Sequence, residues 1–394
     1  MQKRWQFHVP TQVRFGRGGL KRLGETAKEF GTSAMLVGYR DQTGLEKTYD
    51  RATRSLADAG VAVTEFLEIP PDPEAELAVE GARRASEAGV DVVVGLGGGS
   101  PIDAAKGIAA LVKMGGNLWD YAGANEQFRP ITDSLPLVAV PTTSGTGTEV
   151  TAVAVFNHSG VGSTAEYPLK ASIAGPAVLP NVALVDPELT VGSPPGLTAA
   201  CGADALGHAL EACMSRQANP LSTALAGRAI SLIVKHLPAT VENPDDPDLR
   251  ESLALASTLA GVAFANSSVT TPHTMAHALG ALLHVPHGQA VAIATPLNLR
   301  FNAEVCRDVY CHIAHYCGII DKDPEQQAAR FIDRITELLR EVGLPDRVEV
   351  PAGAPADLAS RLAANAMEST LKPLLWNPRE VTKDQLTRLF EEIL

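Results

Sequence analysis

No stretch of about 18 consecutive apolar residues occurs in this 394-residue chain, so no helix is expected to span a bilayer. The first 16 residues carry Lys3 and Arg4 but continue as Trp5-Gln6-Phe7-His8-Val9-Pro10, without the apolar core of a secretory signal. Cysteine is scarce and unpaired in pattern: five residues, an odd number, with no C-x-x-C spacing. That excludes a disulfide framework and points to a reducing, cytoplasmic setting. Positive charge is also in deficit. A net charge of −12 and no basic stripe oppose binding to nucleic acid or to an acidic membrane, because neutralising phosphates takes clustered Lys and Arg. Internal repeats and low-complexity tracts are missing too, which leaves a globular protein long enough for two or three domains.

The chain divides by texture. Up to about Asp186, short β-branched runs at 33–38, 61–66, 91–95, 135–140 and 182–185 alternate with helical stretches at 45–59, 74–88 and 101–114. That alternation predicts a largely parallel sheet covered by helices on both faces. Residues 6–15 read as one more strand, at an edge or a subunit contact. After Ser193-Pro194-Pro195-Gly196 the sequence turns to Ala, Leu, Glu and Arg at helical spacing, with helices expected at 198–216, 220–236, 248–266, 273–283, 289–303, 324–343, 355–367 and 382–394. The fold expected is therefore an α/β Rossmann-like domain over residues 1–190 followed by an all-helical metal-binding domain over 191–394.

Two loops suit a dinucleotide. In the first, the apolar run 91–95 leads into Gly97-Gly98-Gly99-Ser100-Pro101-Ile102-Asp103. Glycines admit close backbone approach to a diphosphate, and the free N–H groups of the following helix attract the anion. Ser100 is expected as the N-cap, Pro101 as the first helical residue and Asp103 as the capping partner. The second is Pro141-Thr142-Thr143-Ser144-Gly145-Thr146-Gly147-Thr148-Glu149-Val150-Thr151, whose hydroxyls follow a strand at the edge where open α/β sheets bind ligands. Either loop could instead be a ligand-free turn or cap.

A third constellation concerns metal. Asp204 and His208 are four residues apart, as are His273 and His277, so each pair shares one helix face. His287 arrives separately, in Val285-Pro286-His287-Gly288, at a loop or helix boundary. One carboxylate with several imidazoles suits Fe²⁺ or Zn²⁺ better than Ca²⁺ or Mg²⁺, and the lack of thiolate argues against a closed structural zinc site. Cys306, Cys311, His312, His315 and Cys317 invite a second metal reading, but small cysteines packed in a helical core account for them better.

Taken in order, Gly97 to Lys106, Pro141 to Glu149, Gly202-Ala203-Asp204-Ala205-Leu206-Gly207-His208, His273-Thr274-Met275-Ala276-His277, Pro286-His287-Gly288 and Asn377-Pro378-Arg379 resemble the iron-containing (group III) alcohol dehydrogenase family. The resemblance runs nearly the full length and extends more distantly to glycerol dehydrogenase and dehydroquinate synthase. It implies Asp204, His208, His273 and His287 as ligands of Fe²⁺, with Zn²⁺ as a substitute, and His277 as a catalytic group that faces the site without binding metal. His284 falls outside the pattern, as a loop or outer residue. It assigns Gly98, Gly99 and Ser100 to the diphosphate, Thr142, Thr143, Thr151 and Val153 to the nicotinamide half, and Lys170, Leu189 and Gly192 to nearby positions; Gly97 and Asp103 belong to the same loop.

The strand that in relatives ends in an Asp for the ribose 2′-hydroxyl ends here in Gly38-Tyr39-Arg40-Asp41. Asp41 would suit NAD, the expected cofactor, and Arg40 a 2′-phosphate, so NADP is the alternative. Pro71-Asp72-Pro73 replaces the Pro-Asn-Pro of many relatives, and Thr270 stands where glycine is usual. The implied activity is hydride transfer between a small primary alcohol or aldehyde and nicotinamide, in a homodimer or larger homo-oligomer, with Phe264, Val153, Leu374 and Trp376 as expected pocket walls. Rivals are a dehydroquinate synthase-like enzyme, a maleylacetate reductase-like enzyme and, from another class, a non-catalytic cofactor-binding scaffold.

Overall fold

In a computed structural model, residues 4–159 and 169–394 are described. The first half contains β1 (Gln12–Phe15), α1 (Leu23–Lys28), β2 (Ser33–Tyr39), α2 (Glu46–Asp58), β3 (Ala62–Ile69), α3 (Ala75–Glu87), β4 (Val92–Gly97), α4 (Gly99–Met114), β5 (Leu137–Pro141), β6 (Val153–His158), β7 (Leu169–Ala174) and β8 (Val182–Val185). Six strands form one parallel sheet in the order β1-β8-β5-β4-β2-β3, and β6 pairs antiparallel with β7. Successive side chains of a strand face opposite ways, and both faces here are apolar. Ala34, Leu36, Val92, Val94 and Leu96 pack beneath α1 and α2, whereas Met35, Val37 and Val93 pack against α3 and α4.

Beyond Pro195 the described chain is helical: α5 (Pro195–Met214), α6 (Pro220–Glu242), α7 (Pro247–Ala265), α8 (Thr271–Leu283), α9 (His287–Phe301), α10 (Ala303–Ala314), α11 (Pro324–Glu341), α12 (Leu358–Ser369), α13 (Leu371–Trp376) and α14 (Lys383–Ile393). Helix α5 packs against α6, α7 and α9 and is buried on nearly every side from Thr198 to Met214. A helix enclosed in this way can hold polar groups only where they have partners.

Several expectations are corrected. Residues 6–15 do not all form a strand: only Gln12–Phe15 pairs, because its neighbour β8 offers four residues, and β1 does lie at the sheet edge. Ser100 is not the N-cap. Helix α4 begins at Gly99 with Gly98 as its extended N-cap, Pro101 is its third residue, and Asp103 accepts hydrogen bonds from Thr148 and Val155 instead of capping. Helix α9 starts at His287 rather than 289, and α6 runs through Pro238 to Glu242 instead of stopping at 236. The β6–β7 pair and helices α10 and α13 were not anticipated.

Candidate metal and dinucleotide site

Three helices converge on one buried point. Helix α5 supplies Asp204 and His208 and, seven residues after Asp204, Glu211, all on one face. Helix α8 supplies His273 and His277, and α9 opens on His287 directly after Pro286. Gly288 makes that last placement possible. A methyl group there would sit 2.2 Å from the Ala200 carbonyl oxygen, so only glycine lets the start of α9 press against α5.

Around Asp204 Oδ1, His273 Nε2 lies at 3.3 Å, His287 Nε2 at 3.5 Å and His208 Nδ1 at 3.9 Å. Ligands about 2.1 Å from a tetrahedral ion stand roughly 3.4 Å from one another, so the spacing fits a shared cation. Asp204 Oδ1, His208 Nδ1 and His273 Nε2 are buried and lack hydrogen-bond partners. Such orphaned atoms are costly unless something binds them. The other ring nitrogen of His273 is occupied, its Nδ1 meeting Glu211 Oε1 at 2.5 Å. Phe264 stacks on His208 with ring centroids 4.2 Å apart, which fixes that imidazole.

The electrostatics favour a positive ion. Burial opposes charge on Asp204, yet His208, His287 and His273 outweigh it and hold its carboxyl well below the usual range. Burial pushes His208 down to about 4 and His287 down to about 3. On His273 burial is overcome by Glu211 and Asp204, which raise it to about 10. A field that holds a proton on His273 also attracts a metal cation. Glu211 was not anticipated, although its spacing from Asp204 could have revealed it. Its role is testable: Glu211→Gln should weaken metal binding by about 10–100-fold, the usual cost of losing a carboxylate behind a ligating histidine, as read by titration against a chelator of known affinity.

The dinucleotide candidates gather at the carboxyl ends of β4 and β5. The Thr142 amide donates to the Gly97 carbonyl at 2.8 Å. A Cβ on Gly98 would lie 2.6 Å from Tyr39 Oη and 3.3 Å from Thr143 Oγ1, and one on Gly99 would meet Thr146 Cγ2 at 2.9 Å. The glycines thus leave a cradle bounded by hydroxyls, which fits a diphosphate. Behind it, Lys106 is fully buried and donates to Thr148 Oγ1, Thr151 Oγ1 and the Val153 carbonyl, tying Thr151 and Val153 to Asp103 and α4. Ser100 Oγ accepts from the Asp72 amide, and the Asp72 carboxylate pairs with Lys170 at 2.5 Å.

Thr190 and Ser193, the chain neighbours of Leu189 and Gly192, line a small pocket with Thr143 and Ser144. Leu189 is buried in the core under α1 and α2, and the Gly192 amide is taken by the Pro244 carbonyl. Asp41 is exposed and accepts from Thr43, and Arg40 is exposed beside it. Phe264 touches the metal cluster; Leu374 belongs to the core around α8, α12 and α14, and the Trp376 carbonyl accepts from the Arg216 amide. His284 is the exposed left-handed C-cap of α8. Among the described residues, the potential metal-holding group is Asp204, His208 and His273, with ligand atoms within 4.8 Å of one another. Cys306 packs in the helical core, with Cys311 and Cys317 against it.

Comparison with known proteins agrees with this geometry. The family model described as iron-containing alcohol dehydrogenase matches residues 10–187, and that of the Fe-containing alcohol dehydrogenase family, C-terminal, matches 198–394. A probable alcohol dehydrogenase EutG of Salmonella typhimurium is 36% identical over 99% of this chain and 95% of its own. The NAD-dependent methanol dehydrogenase of Bacillus methanolicus is 32% identical over 98% of this chain and 99% of its own. Among solved structures, a 1,3-propanediol oxidoreductase superposes with a TM-score of 0.89 at 32% identity, covering 100% of both chains. With both halves matched in order and relatives aligned end to end, the chain belongs to the iron-containing alcohol dehydrogenase family of oxidoreductases.

Proposed function

We propose that this chain catalyses reversible hydride transfer between a small primary alcohol or aldehyde and a nicotinamide dinucleotide, NAD in preference to NADP, using Fe²⁺ or a substitute Zn²⁺. The observation that carries the reading is the convergence of Asp204, His208, His273 and His287 on one point, with Gly145 of the threonine-rich loop packed so close on α5 that a Cβ there would meet Cys201 Cα at 3.0 Å. In this division of labour residues 1–190 hold the dinucleotide and 191–394 the ion. A divalent cation bound there lowers the pKa of an alcohol hydroxyl and polarises an aldehyde carbonyl. The dinucleotide supplies or accepts the hydride.

The chain's own groups do the rest. Glu211 fixes the His273 ring by its Nδ1, so that Nε2 faces Asp204, and Phe264 holds His208 and keeps water from it. His277 is half-buried, and desolvation together with His287, Lys170 and His273 keeps it neutral, well below its ordinary pKa. The Nδ1 atom of this ring is buried and without a partner. That nitrogen is the acceptor suited to take the alcohol proton in oxidation and return it in reduction.

The proposal extends to a cytoplasmic homo-oligomer. Its support is the set of free cysteines and the edge strand β1 with exposed Val13, and a light-scattering mass reads the assembly directly. Among the described residues no helix is long and apolar enough to cross a membrane. Protein purified without oxygen and loaded with Fe²⁺ should oxidise NADH faster than NADPH with short aldehydes. No turnover of either cofactor across the panel, with metal bound, would reject the dehydrogenase reading.

A further inference from the structure

The Asp72–Lys170 pair lies beside α8, the helix that carries His273 and His277. Strand β7, which bears Lys170, packs on α8, and the Lys170 ammonium lies 3.9 Å from where a Cβ on Gly280 would be, one turn beyond His277. The two partners are unequally exposed: the Lys170 side chain is 8% accessible and that of Asp72 49%. The ammonium is therefore buried behind the carboxylate.

The backbone holds Asp72 in that position. It lies between Pro71 and Pro73 with φ of 50°, a conformation open to Asp and Asn but poor for most other side chains. Its amide donates to Ser100 Oγ at 3.2 Å, and its carbonyl accepts from Asn157 Nδ2 at 2.9 Å. These bonds fix the Asp72 backbone beside Lys170, and the ion pair itself holds the carboxylate over the ammonium.

We propose that Asp72 sets the charge selectivity of the site: by covering Lys170 it removes the cation that an acidic substrate would use, so the site accepts uncharged alcohols and aldehydes and rejects those bearing a carboxylate or sulfonate. The inference rests on the dehydrogenase reading above. Opposite charges held a few ångströms apart cancel for a third charge at longer range, so the anionic substrate gains nothing from Lys170 and meets the Asp72 carboxylate first.

Butanal and 4-oxobutanoate form a matched pair of probes, equal in chain length and differing in one carboxylate. Wild-type holoenzyme should prefer butanal in kcat/KM. Asp72→Asn keeps the backbone preference and the hydrogen-bonding outline while deleting the charge, and should move the kcat/KM ratio toward 4-oxobutanoate by about tenfold, with the gain fading as salt is raised. Adding Lys170→Met to Asp72→Asn should remove the gain. Calorimetric binding of 4-hydroxybutanoate to wild type and Asp72→Asn reads the same preference without turnover. A ratio and a binding constant unchanged by Asp72→Asn, or a gain that survives Lys170→Met, would overturn the proposal. Failure of the wild type to reduce butanal would instead reject the underlying dehydrogenase reading.

Discussion

His287→Ala should strip the ion from the protein and abolish alcohol oxidation, whereas His284→Ala should keep one metal per chain. The two histidines are three residues apart, and sequence spacing alone does not separate them. Their backbones do: His284 ends α8 in the left-handed region with its side chain at the surface, while His287 begins α9 with Nε2 3.5 Å from Asp204 Oδ1. Removing His287 takes away one of four candidate ligands and leaves the buried Asp204 carboxylate less well compensated. The expected loss in metal affinity exceeds about 100-fold, more than a lost outer partner costs. Metal binding also stabilises the fold by mass action, so Fe²⁺ at about 100 times the wild-type Kd should add roughly 2.7 kcal/mol to the wild type and at most about 0.4 kcal/mol to His287→Ala. Metal content by elemental analysis and thermal melts with and without Fe²⁺ check this. Full occupancy in His287→Ala together with an empty His284→Ala would refute the ligand register.

Much of this arrangement was legible before any coordinates. The β-branched runs around Leu36 and Val93 predicted strands buried on both faces, because nothing polar alternated along them. Pairs of metal-type residues four apart could share a face only on a helix, and both proved to lie on helices. What escaped depended on three-dimensional partners. The spacing of Glu211 from Asp204 puts it on the ligand face, but its partner His273 is known only once α8 packs there. Ser100 looks like a cap until Gly98 takes that place and the Asp72 amide claims its hydroxyl. The β6–β7 pair escaped because Val153–His158 and Leu169–Ala174 are short and separated, and their pairing with each other is not a property of either segment. The Lys106 network escaped for the same reason: a lysine in the middle of a helix reads as solvated.

That lysine carries the second large effect. Lys106 is fully buried, and its ammonium gives its three protons to Thr148, Thr151 and the Val153 carbonyl at 2.7, 3.2 and 2.7 Å. It lies among two buried carboxylates, Asp103 and Glu149. Burial lowers the lysine to about 8 and raises both carboxyls above their ordinary values, so each charge depends on the others. Lys106→Met deletes the cation, leaves the Val153 carbonyl without that donor and leaves Asp103 without its compensating charge. Breaking one partner out of a buried ionic network costs about 3–5 kcal/mol, so the variant should melt well below the wild type at pH 7.

The sign of the pH dependence follows from linkage. With the cation gone, the folded-state pKa of Asp103 rises further above its unfolded value, and the folded variant takes up a proton that the unfolded chain does not. Stability from such a raised carboxyl is present at low pH and lost as pH climbs through the folded pKa. In the wild type, Lys106 titrates near 8 when folded and near 10.5 when unfolded, so the unfolded state binds the extra proton between those values and this group's contribution to stability grows there. Both terms widen the gap as pH increases. The difference in melting temperature between wild type and Lys106→Met should therefore be smallest near pH 5 and larger at pH 7 and 8.5. A gap that narrows toward high pH, or a loss under about 1 kcal/mol at pH 7, would mean that Lys106 does not neutralise this network. Because the same lysine positions Thr151 and Val153, the variant should also bind NADH more weakly by fluorescence titration, at temperatures where it is still folded.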